Sequence, residues 1–347
     1  TFAYSYGPHD ESDMRKRLAG TCDRFVDITA ASFEDAARRI HEDGIDILVD
    51  LKGFTGSART QIAALRPAPV QVNWLGYPGT MGADFIDYIV TDRFITPPGQ
   101  DAYFSEKLAY LPDCYQINDR KRRIAEWFPS RKDCGLPERG FVFCCFNNTY
   151  KITPAVFDIW MRLLKEVPGS TLWLLEANGG VAANLRREAQ ARGVNAERLV
   201  FAPRVSMEKH LARMRLAHLF LDTLPVNGHT TASDALWAGL PVLTCAGDTL
   251  VGRVAGSLLT AIGLPELITH SLADYEALAL RLARNPSKLA QLRERLSKNR
   301  LTTPLFDSER FARHLERAYQ MMWDIYVNVE APMRIEVPAS RFTKKGR

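Results

Sequence analysis

The sequence predicts an α/β protein made of two doubly wound units, each a parallel sheet covered by helices on both faces. Three observations lead there. Strand-like and helix-like segments alternate along almost the whole chain. The strand candidates are short continuous apolar runs, the pattern of strands buried on both sides. The alternation breaks once, between Asp113 and Gly140, and then resumes, and 347 residues leave room for two domains.

In the first part, strands are expected at Phe2–Tyr6, Arg24–Ile28, Ile45–Val49, Val70–Trp74, Tyr88–Thr91 and Leu108–Leu111. The clearest helix runs from Ser32 to Glu42: Ser32 is a good N-cap, Asp35 sits in the first turn and Gly44 follows the end. His41 falls in the last turn, where an imidazole meets the negative end of the helix dipole, so it is read as structural and not as a base. A second helix is expected over Ser57 to Leu65, stopping before Arg66-Pro67. This gives a first lobe at 1–112.

The stretch 113–140 carries charge, Pro129, Gly135 and Pro137, and reads as a connection between lobes. Its basic run, Arg120-Lys121-Arg122-Arg123, is read as an exposed loop, and a nucleic-acid partner is not expected.

The second lobe, 141–327, begins with a strand at Phe141–Phe146 and a helix at Pro154–Lys165, whose proline suits the first turn. Then come Thr171–Glu176 (strand), Val181–Arg192 (helix), Leu199–Ala202 (strand), Ser206–Met214 (helix), Leu219–Asp222 (strand), Thr231–Ala238 (helix) and Val242–Cys245 (strand). Leu- and Ala-rich helices fill Ala273 to Asn299. The last helix, Ser308 to Tyr326, carries Phe311, Leu315, Ala318, Met322, Trp323 and Tyr326 at three- and four-residue spacing, a packing face. Residues 328–347 are read as a tail, its surplus of Arg341, Lys344, Lys345 and Arg347 solvated.

Composition narrows the class. Hydrophobic residues make up 46% and charged residues 24%, as in ordinary globular proteins, and no apolar run is long enough for a membrane span. Cys22, Cys114, Cys134, Cys144, Cys145 and Cys245 form no C-x-x-C pair, so buried thiols in a reducing, cytoplasmic compartment are expected. Thr1 opens directly into a strand, and the chain reads as a segment of something longer. The formal charge of +5 suits a phosphorylated ligand.

One stretch suggests where that ligand sits. Asn227-Gly228-His229-Thr230-Thr231-Ala232-Ser233-Asp234 follows the run Leu219–Thr223 and opens an apolar helix. The first N–H groups of a helix have no intrahelical partners and meet the positive end of the dipole, which favours phosphate. His229, Thr230 and Thr231 could add donors, and Asp234 could accept from a ribose diol. An ordinary helix capped by Thr230 or Thr231 would give the same sequence. In this architecture ligands bind where strands end, which favours the phosphate reading.

With these pieces in order, the chain resembles the catalytic region of the O-GlcNAc transferase family, glycosyltransferase family 41, which includes SPINDLY-type members. The matching blocks include Leu65-Arg66-Pro67-Ala68-Pro69-Val70-Gln71, Trp74-Leu75-Gly76-Tyr77-Pro78-Gly79-Thr80, Phe146-Asn147, Tyr150-Lys151-Ile152, Asn227-Gly228-His229-Thr230-Thr231 and Leu236-Trp237-Ala238-Gly239. The resemblance runs from Thr1 to about Tyr326. It implies a GT-B architecture, two Rossmann-like domains facing a cleft, with the C-terminal helix packing back.

It also implies roles. Lys151 matches the essential lysine, neutralising charge on the departing UDP, and Tyr150 and Asn148 line the same pocket. His210 stacks on the base and Arg213 reaches its edge, with Val205, Ser206 and Met207 in the preceding loop. Met207 stands where animal members place a lysine and cannot donate to ribose. His229, Thr230 and Thr231 hold the diphosphate and Asp234 the ribose. Leu75, Gly76, Tyr77 and Pro78 face the sugar from the first domain. The implied reaction is an inverting transfer of GlcNAc from UDP-GlcNAc to Ser/Thr hydroxyls of a protein or peptide, without metal or other cofactor. A histidine-bearing loop and TPR repeats are expected upstream of Thr1, so no catalytic base is assigned in this chain. GDP-fucose as donor, a UDP-sugar epimerase, and a sugar-nucleotide-binding module without catalysis remain as alternatives.

Overall fold

The computed structural model describes residues 1–339 and divides into two compact units. The basic residues Arg341 to Arg347 of the expected tail lie outside the described residues.

The first unit comprises Thr1–Thr91, Pro98–Tyr110 and Glu316–Val337. Its elements are β1 (Phe2–Ser5), α1 (Asp13–Ala19), β2 (Arg24–Asp27), α2 (Phe33–Glu42), β3 (Ile47–Asp50), α3 (Thr60–Ala64), β4 (Val70–Asn73), β5 (Tyr88–Asp92) and β6 (Lys107–Leu111). Ser32 caps α2 as expected, its hydroxyl accepting from Asp35 N at 3.0 Å, and the helix gives way to Gly44 at φ +67°. Ala36, Ala37 and Ile40 on its inner face pack with Ile28 and Ile62. His41 lies in the last turn, exposed.

Two expectations change. The helix predicted from Ser57 starts only at Thr60. Arg59 donates to the carbonyls of Ile28 (2.7 Å) and Ala31 (2.6 Å), which holds the preceding chain as a loop with Ser57 at φ +57°. The unit also holds two sheets, not one: β1 and β2 pair only with each other, while β3 to β6 line up in sequence order. The outer neighbour of β6 is a short parallel strand, Ile335–Glu336, inside the segment read as tail. Ile335 and Val337 are buried there and Glu336 is exposed, an alternation too short to be recognised in the sequence.

The second unit comprises chiefly Asp92–Pro97 and Leu111–Leu315. The stretch 113–140, read as a connection, is therefore part of it. Its elements are β7 (Val142–Cys145), α4 (Pro154–Glu166), β8 (Thr171–Leu175), α5 (Gly179–Ala191), β9 (Leu199–Ala202), α6 (Met207–Arg213), β10 (Leu219–Leu221), α7 (Thr230–Trp237), β11 (Val242–Cys245), α8 (Val254–Ala261), β12 (Ile268–Thr269), α9 (Leu272–Ala283) and α10 (Pro286–Thr302). The final helix, α11 (Ser308–Val327), starts in this unit and, from Glu316 on, clusters with the first. Ala318 and Met322 of its apolar stripe are buried, whereas Tyr326 is half exposed.

The six-stranded sheet has the order β12-β11-β10-β7-β8-β9. The chain winds outward from β7 through β8 to β9, then returns to the other side of β7 and winds outward again. This is a Rossmann arrangement, and its order reverses between β7 and β10. Both strands are buried throughout, and Cys144 and Cys145 are shielded on opposite faces. All six cysteines are free thiols.

Candidate active site

The carboxyl ends of β7 and β10 flank the point where strand order reverses, and there the loops must diverge to opposite faces and leave a crevice. β7 is followed by Phe146, Asn147 and Asn148, then a single turn of 3₁₀ helix, Thr149–Lys151. That turn ends at Lys151, and its Nζ donates to the carbonyl of Asn227 at 2.8 Å. Burial pulls the ammonium below its ordinary pKa, and Asp222 acts against that.

β10 is followed by Asp222, which is buried and accepts from Gly228 N (2.6 Å), Asn147 Nδ2 (2.9 Å) and Thr244 Oγ1 (2.7 Å). Asn147 also donates to Thr223 Oγ1 at 2.8 Å and accepts from the Thr231 hydroxyl. Gly228 lies inside this network. A Cβ there would meet Asn147 Oδ1 at 2.7 Å, Thr231 Oγ1 at 2.8 Å and Asp222 Oδ1 at 3.1 Å, so only glycine fits without displacing it. Asp222 and Asn147 thus tie the two strand ends together. Neither was assigned a role from the sequence; the only signal was an acid directly after an apolar strand.

The tip of α7 differs from the expected cap. His229, not a threonine, is the N-cap residue, and no side chain accepts from the first N–H groups. The single proton of Thr231 is spent on Asn147, so this residue can offer a ligand only its backbone N–H as donor. Thr230 is exposed. His229 Nε2 is buried without a hydrogen-bond partner, and burial, reinforced by Lys151, lowers its pKa to about 4. The edge therefore gathers one ammonium, uncapped helix N–H groups and a neutral imidazole, an arrangement suited to a diphosphate.

His210 reaches the same edge. Its ring lies 5.0 Å from that of Phe146, at the end of β7. Arg213 donates to His210 Nδ1 from Nε (3.1 Å), leaving the imidazole proton on Nε2, and burial, with Arg213 adding to it, lowers the His210 pKa to about 4. Arg213 itself is 4% exposed and also donates to Pro203 O at 2.6 Å. Its Nε and Nη1 thus orient His210 and close the β9–α6 loop. Val205 and Ser206 are exposed in that loop, whereas Met207, expected there, is the exposed first residue of α6; Ser206 sits at the N-cap position but makes no capping bond. Asn148 is exposed, and Tyr150 is 77% exposed.

Asp234 spends one carboxylate oxygen, Oδ1, inside the protein. It is buried in an ion pair with Arg122, from the run expected to be a solvated loop. A carboxylate on the inward face of α7 needs a cation, and the irregular segment before β7 supplies one.

In the first unit, Leu75, Gly76, Tyr77 and Pro78 form the turn after β4. Leu75 adopts φ +72°, and a Cβ on Gly76 would collide with the carbonyl of Leu51. Gly53, at φ +52°, lies against Tyr77, whose ring meets Phe54 edge-on at 5.4 Å. The turns after β3 and β4 are thus packed backbone to backbone, as close approach through glycine requires.

Among family models, the chain matches Glycosyl transferase family 41 over residues 1–127 and 124–315. It is 41% identical to the probable UDP-N-acetylglucosamine–peptide N-acetylglucosaminyltransferase SEC of Arabidopsis thaliana, covering 97% of this chain and 35% of that protein. It is 30% identical to the UDP-N-acetylglucosamine–peptide N-acetylglucosaminyltransferase of Caenorhabditis elegans, over 94% of this chain and 38% of that one. The chain thus spans little more than a third of the length of these curated relatives. Among solved structures it is similar to a mutant O-GlcNAc transferase of Thermobaculum terrenum, with TM-score 0.88 and 34% identity over 94% of this chain and 62% of that one. The α/β fold with parallel sheets is that of GT-B glycosyltransferases.

Proposed function

This chain belongs to glycosyl transferase family 41, and from that membership and the β7–β10 edge we propose that it is the donor-binding and catalytic segment of an inverting protein glycosyltransferase. The donor is UDP-GlcNAc and the acceptor a Ser or Thr hydroxyl of a protein. The hydroxyl oxygen attacks the anomeric carbon and gives up its proton to water, the bond to the diphosphate breaks, and its electron pair leaves with UDP. Lys151 and the N–H groups of α7 stabilise the charge that collects on the leaving diphosphate, and they take the place of a divalent ion. His210 packs on the base. Helical TPR repeats precede this segment in the whole protein, and the six free thiols suit a cytoplasmic enzyme.

The observation that carries the reading is the position of Lys151 Nζ, 2.8 Å from the carbonyl of Asn227, just before the uncapped start of α7 at Thr230. No helix among the described residues is long and apolar enough to cross a membrane.

The test is a thermal-shift comparison of UDP with GDP on the full-length protein, followed by turnover of UDP-GlcNAc with and without EDTA. Stabilisation by UDP alone and turnover unaffected by EDTA are expected. Stabilisation by GDP alone would move the donor to a guanine nucleotide. Activity lost to EDTA and restored only by a divalent ion would end the metal-independent mechanism.

A further inference from the structure

Arg122 lies outside every role assigned so far, yet it is one of the most fully engaged side chains of the second unit. Its NH1 pairs with Asp234 Oδ1, its NH2 donates to Ser233 Oγ at 3.1 Å, and its Nε donates to Asp119 O at 3.1 Å. Its backbone carbonyl accepts from Trp237 Nε1 at 3.1 Å, and its guanidinium stands 6.0 Å from the centre of the Phe306 ring. One residue therefore grips α7 at three positions, Ser233, Asp234 and Trp237. Ser233 in turn donates to Asn118, whose amide is fixed by Gln116 O (3.1 Å) and Leu305 O (3.3 Å). Asp234 Oδ2 takes no hydrogen bond among the described residues.

We propose that Arg122 is a positioning residue of the donor pocket: its two-pronged grip on Ser233 and Asp234 fixes the carboxylate so that Oδ2 remains to accept from the ribose diol of the nucleotide. This rests on the reading of the β7–β10 edge as a UDP-sugar site. Burial raises the Asp234 carboxyl pKa, and Arg122 counters that. A lysine cannot reproduce a planar fork that engages a carboxylate and a hydroxyl together.

The experiment measures binding of UDP and of 2′,3′-dideoxy-UDP by calorimetry on the full-length protein, for wild type, Arg122→Gln and Arg122→Lys, with melting curves to establish folding. Wild type is expected to prefer UDP about tenfold, the value of one well-made hydrogen bond. In Arg122→Gln the preference should fall at least threefold while affinity for the dideoxy form changes less than twofold. The donor KM should rise with kcat within twofold. If Arg122→Gln does not fold, Arg122→Lys, which keeps the charge and loses the fork, should show the same threefold fall. A folded variant that keeps the wild-type preference overturns the proposal, as does a wild type that binds both nucleotides equally. A wild type that binds neither nucleotide overturns the UDP-sugar reading itself.

Discussion

Under the proposed function, replacing Lys151 with alanine separates a catalytic charge from the scaffold that carries it. In the free protein the amine makes one hydrogen bond, to Asn227 O at 2.8 Å, and is half-buried. Its removal exposes that carbonyl to entering water, so the loss of stability should be about 1 kcal/mol, the net worth of one such bond. For a unit of this size that lowers Tm by roughly 2–4 °C. The effect on the reaction is larger. A fixed cation roughly 4 Å from a phosphoryl oxygen, at an effective dielectric constant near 20, interacts by about 4 kcal/mol. Only the part that grows as the glycosidic bond breaks counts toward rate, and single charge-stabilising donors contribute about 10²–10³ in kcat. The expected outcome in the full-length protein is therefore a loss of about 10²–10³ in kcat with Tm nearly unchanged. Turnover of UDP-GlcNAc is followed by release of UDP, with melting measured in parallel. A folded Lys151→Ala protein with kcat within fivefold of wild type would refute the assignment. The wild-type rate should also fall in alkali as pH rises through the lowered ammonium pKa, because the protonated form carries the charge.

Two further outcomes follow from the same edge. Gly228→Ala places a methyl against Asn147, Thr231 and Asp222, and overpacking of this kind costs about 1–3 kcal/mol; Tm should drop by several degrees and UDP affinity should fall, and an unchanged melting curve would contradict the described packing. His210 is held neutral, with a folded pKa near 4 against an ordinary 6.5, so its contribution to stability is complete above about pH 6.5 and is lost as pH falls toward 4. In Arg213→Met its ring resonances, followed by NMR, should titrate at a higher pH than in wild type, and an unmoved midpoint would show that Arg213 does not act on the imidazole.

Much of this was legible in the sequence because it is local. The alternation of apolar runs and amphipathic helices encodes which segments are strands, and β9 and β11 fall where the apolar runs predict them. Ser32 and Gly44 mark α2 because a cap needs only a hydroxyl and a permissive backbone a few residues apart. The His229 turn stood out because it links an apolar strand to an apolar helix, whereas Lys151 was marked by the family resemblance. What was missed is non-local. Strand order arises from which edges find each other, so the reversal between β7 and β10 could not be read along the chain. Arg122 and Asp234 are more than a hundred residues apart, and no periodicity links them. Read singly, the arginine belongs to an exposed basic loop and nothing supplies the aspartate with a cation; burial of α7 makes each the other's partner. The Thr231 hydroxyl and the Arg213 guanidinium meet Asn147 and Pro203 for the same reason: a donor has a fixed number of protons, and packing decides which acceptors reach them first. Short-range chemistry thus came from the order of residues, whereas the allocation of charge and hydrogen bonds around the nucleotide edge came from tertiary packing, because a buried polar group must be paired with whatever the fold brings beside it.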